Sequence, residues 1–159
     1  MIRVAILTVS DSASTGKRED LSGPALRSHC EKLGWGVVVS ALVADDPASI
    51  SQKVIDWADA GAASLILTTG GTGISARDNT PEATRGLIER EIPGISELMR
   101  AKGLEQTQFS VLSRGIAGTR RGSLIVNLPG SPAGALFSLS IIEGLVPHIT
   151  GLLAGHDEH

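Results

Sequence analysis

The sequence predicts an α/β fold: a three-layer sandwich with a mostly parallel central sheet flanked by helices. Continuous aliphatic runs, VAILTV at Val4–Val9, SLILTT at Ser64–Thr69 and SLIVN at Ser123–Asn127, read as strands buried on both faces. Between them, apolar residues recur at helical spacing behind proline-marked starts. Regular alternation of the two patterns is the signature of βαβ units.

Taken in order, Val4–Val9 is the first strand and SDSASTGKRED the polar loop after it. Ser22-Gly23-Pro24 opens a helix, with Ser22 as its cap, Leu26, Cys30 and Leu33 as its stripe and Gly34 as its stop. Trp35–Val43 is the next strand. Asp45-Asp46-Pro47 starts a second helix whose Ile50, Val54, Trp57 and Ala58 face the sheet, and Gly61 ends it. After the strand at Ser64–Thr69 and a glycine-rich loop, Thr80-Pro81 starts a helix expected to run to about Arg90, with Thr80 in the cap position. Pro93-Gly94 precedes a further short helix with Ile95, Leu98 and Met99, and Gln106–Ser113 has no clear pattern. The strand at Ser123–Asn127 leads through LPGSPAG into a helix at Leu136–Ile142, with Ser131-Pro132 as cap and first-turn pair. A last apolar segment, Leu145–Leu153, precedes a polar tail. The expectation is one domain, 1–159, with that short C-terminal tail from about residue 155.

Composition narrows the function. Hydrophobic residues make up 42% and charged residues 19%, so the chain can bury a core. Aromatics are 3%, with no tyrosine, which argues against a stacking platform for single strands. A net charge of −3 argues against an electrostatic grip on nucleic acid. Cys30 is the single cysteine, so an internal disulfide and a multi-thiolate metal site are excluded. The first apolar run is too short for a signal or membrane segment, and a cytoplasmic location without membrane contact is expected.

In parallel sheets, ligands bind outside the carboxyl ends of the strands. The polar segments following strands are VSDSAST, VADDP, TTGGTGISARD and NLPGSPAG, so a site assembled from them is expected. Gly71–Ala76 formally matches GxGxxA, but the helix start at Thr80-Pro81 lies well past the last glycine, against a dinucleotide loop. No GxxxxGK[ST] segment exists. The glycines at 70, 71 and 73 expose backbone N–H groups suited to an oxyanion, where a plain turn would need only one. With Thr80 capping the next helix, Asp78 is left free. A carboxylate beside a phosphate loop points to an intervening Mg²⁺, with Asp45 or Asp46 as a second carboxylate or, equally, as a helix cap. Lys17, Arg18 and Arg77 lie in the site loops as anion contacts, whereas Arg114, Arg120 and Arg121 read as solvated charges. His29 and His148 read as structural, and His156 and His159 as tail residues. These residues support a binder of a phosphorylated ligand and leave the reaction open.

Ser10-Asp11, Gly16, Asp20, Gly23-Pro24, Asp45, TTGGTG with Arg77-Asp78, TPEAT at Thr80–Thr84, Pro93-Gly94, and Asn127-Leu128-Pro129-Gly130 with Pro132 occur in order from Val4 to about Leu153. Together they resemble the MogA/MoaB family of molybdopterin adenylyltransferases, related to the gephyrin and plant Cnx G domains. The resemblance implies a homotrimer that uses ATP and Mg²⁺ to join AMP to the terminal phosphate of molybdopterin, releasing pyrophosphate, and hands the product on for molybdate insertion. It implies catalytic and Mg²⁺-associated roles for Asp45 and Asp78. Gly70, Gly71, Thr72, Gly73 and Arg77 correspond to a nucleotide and phosphate loop, and Ser10, Asp11, Asn127, Gly130 and Ser131 to the molybdopterin region. Ile74-Ser75-Ala76 depart from the residues usual after GGTG. The alternative is a non-catalytic molybdopterin-binding or scaffold protein on the same fold; a Rossmann protein is disfavoured by the loop-to-helix spacing.

Overall fold

The computed structural model describes residues 1–156. Along the chain run β1 (Arg3–Val9), α1 (Asp11–Ser14), α2 (Ser22–Lys32), β2 (Gly36–Val43), α3 (Pro47–Asp59), β3 (Leu65–Thr69) and α4 (Thr80–Arg85). β4 (Arg90–Glu91), α5 (Pro93–Gly103), a 3₁₀ turn (Gln108–Leu112), β5 (Ala117–Arg120), β6 (Ser123–Leu128), α6 (Pro132–Ile142) and α7 (Val146–Leu153) follow. The sheet order is β2-β1-β3-β6-β5-β4. β2, β1, β3 and β6 are mutually parallel, and β5 and β4 add an antiparallel edge.

Alternation along the strands divides the core between the two faces of the sheet. Val4 and Ile6 of β1, Leu65 and Leu67 of β3, and Leu124, Val126 and Leu128 of β6 pack against α2, α5, α6 and α7. Ala5, Leu7, Ile66 and Ile125 pack against Ile50, Val54, Trp57 and Ala58 of α3 and Ala83 of α4. Both faces of each central strand are covered, which is why these strands read as unbroken aliphatic runs. No single helix among the described residues is long and apolar enough to cross a membrane. α6 and α7 are apolar because Ala135, Leu139, Ile142 and Val146 lie in the core.

Several local expectations change. The helix after β3 ends at Arg85, not near Arg90, and Arg90–Glu91 pairs instead with β5. Ser22 is not the cap of α2: the helix begins at Ser22 behind Leu21, and the Asp20 carboxylate takes the Gly23 N–H at 3.0 Å. Thr80 is not the cap of α4 either. Asn79 precedes the helix, and the buried Thr80 hydroxyl donates to the Gly70 carbonyl at 2.9 Å. Ser131 caps α6 by accepting from Gly134 N–H, and Asp46 caps α3 by accepting from Ser49 N–H. α6 therefore starts at Pro132, a turn earlier than its apolar run. His159 and the last part of the tail lie outside the described residues.

The crossovers from β1 lead outward to β2 and those from β2 lead back across β1 to β3. The chain therefore changes direction between β1 and β3, the position where doubly wound sheets open a crevice at their carboxyl edge.

Candidate active site

The four loops after the central strands meet at this edge. Thr69 and Gly70, ending β3, donate to Pro129 O at 2.7 Å and Leu128 O at 3.2 Å beyond β6. Gly70 adopts φ +104°, and a Cβ there would lie 2.2 Å from Val9 O. A Cβ on Gly130 would meet Gly70 Cα at 3.2 Å. At Gly70, glycine is thus required by close backbone approach as well as by conformation, and Gly130 packs tightly against it.

The loop from Gly71 to Asp78 is held from outside itself. Arg114 N–H donates to Thr72 O at 2.8 Å, while its guanidinium donates to Gly73 O at 2.8 Å, Asp78 O at 2.7 Å and the Glu82 carboxylate. Arg114 is therefore no solvated charge but the brace of the glycine loop. Its sequence position, about forty residues away, carries no sign of this. Arg120 is likewise committed, forming a fork with Asp59 at 2.9 Å on both arms.

Held this way, Gly71, Thr72 and Gly73 present consecutive backbone N–H groups that have no acceptor among the described residues. Unpaired N–H groups in succession form a concavity for an anion. They line a cavity of about 450 Å³ together with Asp78, Asn127, Pro129, Gly130 and Ser131 on one side. Ser96, Met99, Arg100 and Gly103 of α5 line the other. The N-terminal end of α6, capped by Ser131, adds its dipole to the same space.

Asp78 is half-buried; Oδ2 accepts from Ser75 N–H at 2.9 Å, and Oδ1 has no donor among the described residues. The Asn127 amide is spent inward, donating to Thr68 and Thr84 hydroxyls and accepting from Ile116 N–H. What Asn127 offers the cavity is position, not a free amide.

Ser10, Asp11, Asp45 and Arg77 do not line this cavity. They gather across β3 from β6, at the switch point. Asp11 N–H donates to Asp45 Oδ2 at 2.9 Å, and Asp45 N–H to Asp11 Oδ1 at 3.0 Å. Arg77 closes a fork on Asp11, Nε to Oδ2 at 2.8 Å and Nη2 to Oδ1 at 2.9 Å. Arg77 holds the Asp11 carboxyl below the usual carboxylate range. Burial, with repulsion from Asp11 and Asp78, pushes Asp45 up. Both groups reach the glycine loop: a Cβ on Gly71 would meet Asp45 Oδ1 at 3.1 Å, and one on Gly73 would meet Asp78 Oδ2 at 2.8 Å. The sequence-predicted site is thus one edge that carries the cavity with Asp78 and, outside its lining, the cluster of Asp11, Asp45 and Arg77. Lys17 and Arg18 are exposed in the loop after α1 and make no ion pair among the described residues.

Residues 5–148 match the family model of a probable molybdopterin binding domain. The chain belongs to this family. It is similar to the molybdopterin biosynthesis enzyme MoaB of Thermus thermophilus, with 48% identity, a TM-score of 0.92 and 98% of each chain covered. It is 37% identical to a molybdopterin adenylyltransferase of Helicobacter pylori, over 98% of this chain and 89% of that one. It is 39% identical to the molybdenum cofactor synthesis protein cinnamon of Drosophila melanogaster over 96% of this chain, but spans only 26% of that longer protein. The family match runs from β1 into α7 and so takes in both the cavity lining and the Asp11–Asp45–Arg77 cluster.

Proposed function

We propose that this protein is a molybdopterin adenylyltransferase working in molybdenum cofactor biosynthesis. It transfers AMP from ATP to the terminal phosphate of molybdopterin, giving adenylyl-molybdopterin and pyrophosphate. The observation that carries this reading is the run of unpaired N–H groups at Gly71–Gly73, lining one cavity with Asp78 and the capped start of α6.

In this reaction an oxygen of the molybdopterin phosphate forms a bond to the α-phosphorus of ATP. The bond to the bridging oxygen of the β-phosphate breaks, and pyrophosphate leaves with the electron pair. Such a transfer needs alignment and charge stabilisation, and no covalent intermediate on the protein. The N–H groups of Gly71, Thr72 and Gly73 supply neutral donors to the phosphoryl oxygens. Arg114 keeps the loop in one shape, so these donors need no rearrangement as charge redistributes.

The carboxylates fit Mg²⁺ on donor chemistry. Asp78 and Asp45 both approach the glycine loop, and each keeps Oδ1 free of donors among the described residues. Mg²⁺ takes one or two carboxylates with phosphate oxygens and retained waters, so no larger acidic cluster is required. When bound, it would neutralise phosphate charge and favour the ionised form of Asp45.

The test is AMP transfer from ATP to purified molybdopterin, followed by pyrophosphate release and by the mass of the adenylylated product, with and without Mg²⁺. Binding of molybdopterin without pyrophosphate release overturns the reading and leaves a pterin-binding protein. We also propose a cytoplasmic homotrimer that passes its product to a molybdate-insertion protein; light scattering of the purified chain checks the assembly.

A further inference from the structure

Arg100 and Asp78 are the only charged side chains lining the cavity among the described residues. Asp78 stands at the glycine loop, whereas Arg100 stands on α5. Arg100 Nη1 donates to Ser113 O at 3.3 Å and Gly115 O at 3.0 Å, which orients the guanidinium. Its Nε and Nη2 have no acceptor, and it has no carboxylate partner, among the described residues. One turn earlier on the same helix, Ser96 also lines the cavity. Its hydroxyl is the only buried side-chain polar atom without a partner among the described residues. A buried polar group left unpaired costs stability, and such orphans are uncommon. Around them Met99, Leu112 and Phe137 give the cavity apolar walls.

We infer that Arg100 and Ser96 form the recognition end of the cavity and read the ring carbonyl of a pterin. This rests on the reading that the cavity takes molybdopterin. Two adjacent guanidinium donors suit an oxygen acceptor and oppose an exocyclic amine, the logic by which arginine selects guanine over adenine. A pterin carries a ring carbonyl, and adenine presents an amine with no carbonyl. The ring of ATP is therefore excluded from this end, which orders the substrates: pterin ring toward α5, phosphate toward Gly71–Gly73. The Ser96 hydroxyl satisfies a second polar group on the ring edge.

The experiment compares 2-amino-4-oxopteridine with 2,4-diaminopteridine, which puts an amine where the carbonyl was, by fluorescence titration of the full chain. The oxo compound is expected to bind the wild-type chain at least about tenfold tighter. Arg100→Met abolishes that preference, Arg100→Lys restores it only in part, and Ser96→Ala weakens oxo-pterin binding severalfold without touching the Arg100 contacts. Circular dichroism verifies that each variant is folded. Equal binding of the two pteridines by the wild-type chain, or no saturable binding of either, overturns the inference. So does an Arg100→Met effect confined to the KM for ATP. AMP transfer by a wild-type chain that does not discriminate defeats this inference alone. Discrimination without AMP transfer defeats the proposed reaction alone.

Discussion

Asp11 and Asp45 each accept a hydrogen bond from the other's backbone N–H, at 3.0 and 2.9 Å. This exchange ties the loop after β1 to the loop after β2, and Arg77 from the glycine loop clamps the pair. The acids nevertheless sit in opposite electrostatic situations. Asp11 is held ionised by arginine, whereas Asp45 is buried among like charges.

From that asymmetry, Asp45→Asn should stabilise the fold at neutral pH while abolishing AMP transfer. The introduced amide would keep an oxygen for the Asp11 N–H and remove a buried charge. The folded state raises the Asp45 pKa. Its contribution therefore favours folding below the unfolded value of 3.8 and is lost as pH rises through the folded one. The Tm advantage of the variant should be present at pH 7 and shrink as pH falls toward about 4. Thermal melts across that range check it, and a lower Tm at neutral pH would contradict it.

Asp78→Asn should lower AMP transfer by about 10²–10³-fold, the usual loss for one electrostatic group aimed at a developing charge. The Ser75 N–H contact survives in the amide, so the fold should persist. Pyrophosphate release and circular dichroism together separate the two effects.

Arg114→Ala should loosen the glycine loop. It removes the guanidinium bonds to Gly73 O, Asp78 O and Glu82 at a part-exposed position, for an expected loss of about 1–3 kcal/mol. AMP transfer should fall while the affinity for oxo-pterin, read at α5, changes little. Urea denaturation and the pterin titration test the two halves.

Gly70→Ala should cost about 3 kcal/mol or more, because it joins a positive φ to a clash with backbone. The Val9 carbonyl, 2.2 Å from the added Cβ, belongs to β1 and has no room to yield. Urea denaturation measures it; a near-wild-type midpoint would show that β1 and β3 can separate at their ends.

The buried strands were legible because neighbours such as Ile6 and Leu7, or Val126 and Ile125, face opposite sides of the sheet and both must be apolar. The antiparallel edge was not. β5 and β4 are short, and the two-residue turn between β5 and β6, Arg121-Gly122, carries its positive φ on Arg121, at +54°, and not on a leading glycine or asparagine. The helix starts at Pro47, Thr80-Pro81 and Pro132 were readable from proline, but the capping group was not always the neighbouring polar residue. Thr80 was misread because its hydroxyl turns inward to Gly70, a contact across the loop that no local pattern encodes.

The same division holds for the site. The carboxyl-edge location, the glycine-rich N–H run and the acids beside it are legible in the amino-acid order, because the succession of strands along the chain and backbone chemistry are local properties. It took the folded chain to show that Asp45 and Asp78 both reach the glycine loop while Asp78 alone lines the cavity, that Arg77 is spent on Asp11, that Arg114 braces the loop and that Arg100 lines the cavity. Those facts depend on which groups meet across long stretches of chain. An arginine's role is set by the acceptors within reach of its guanidinium, and its own sequence neighbourhood does not name them.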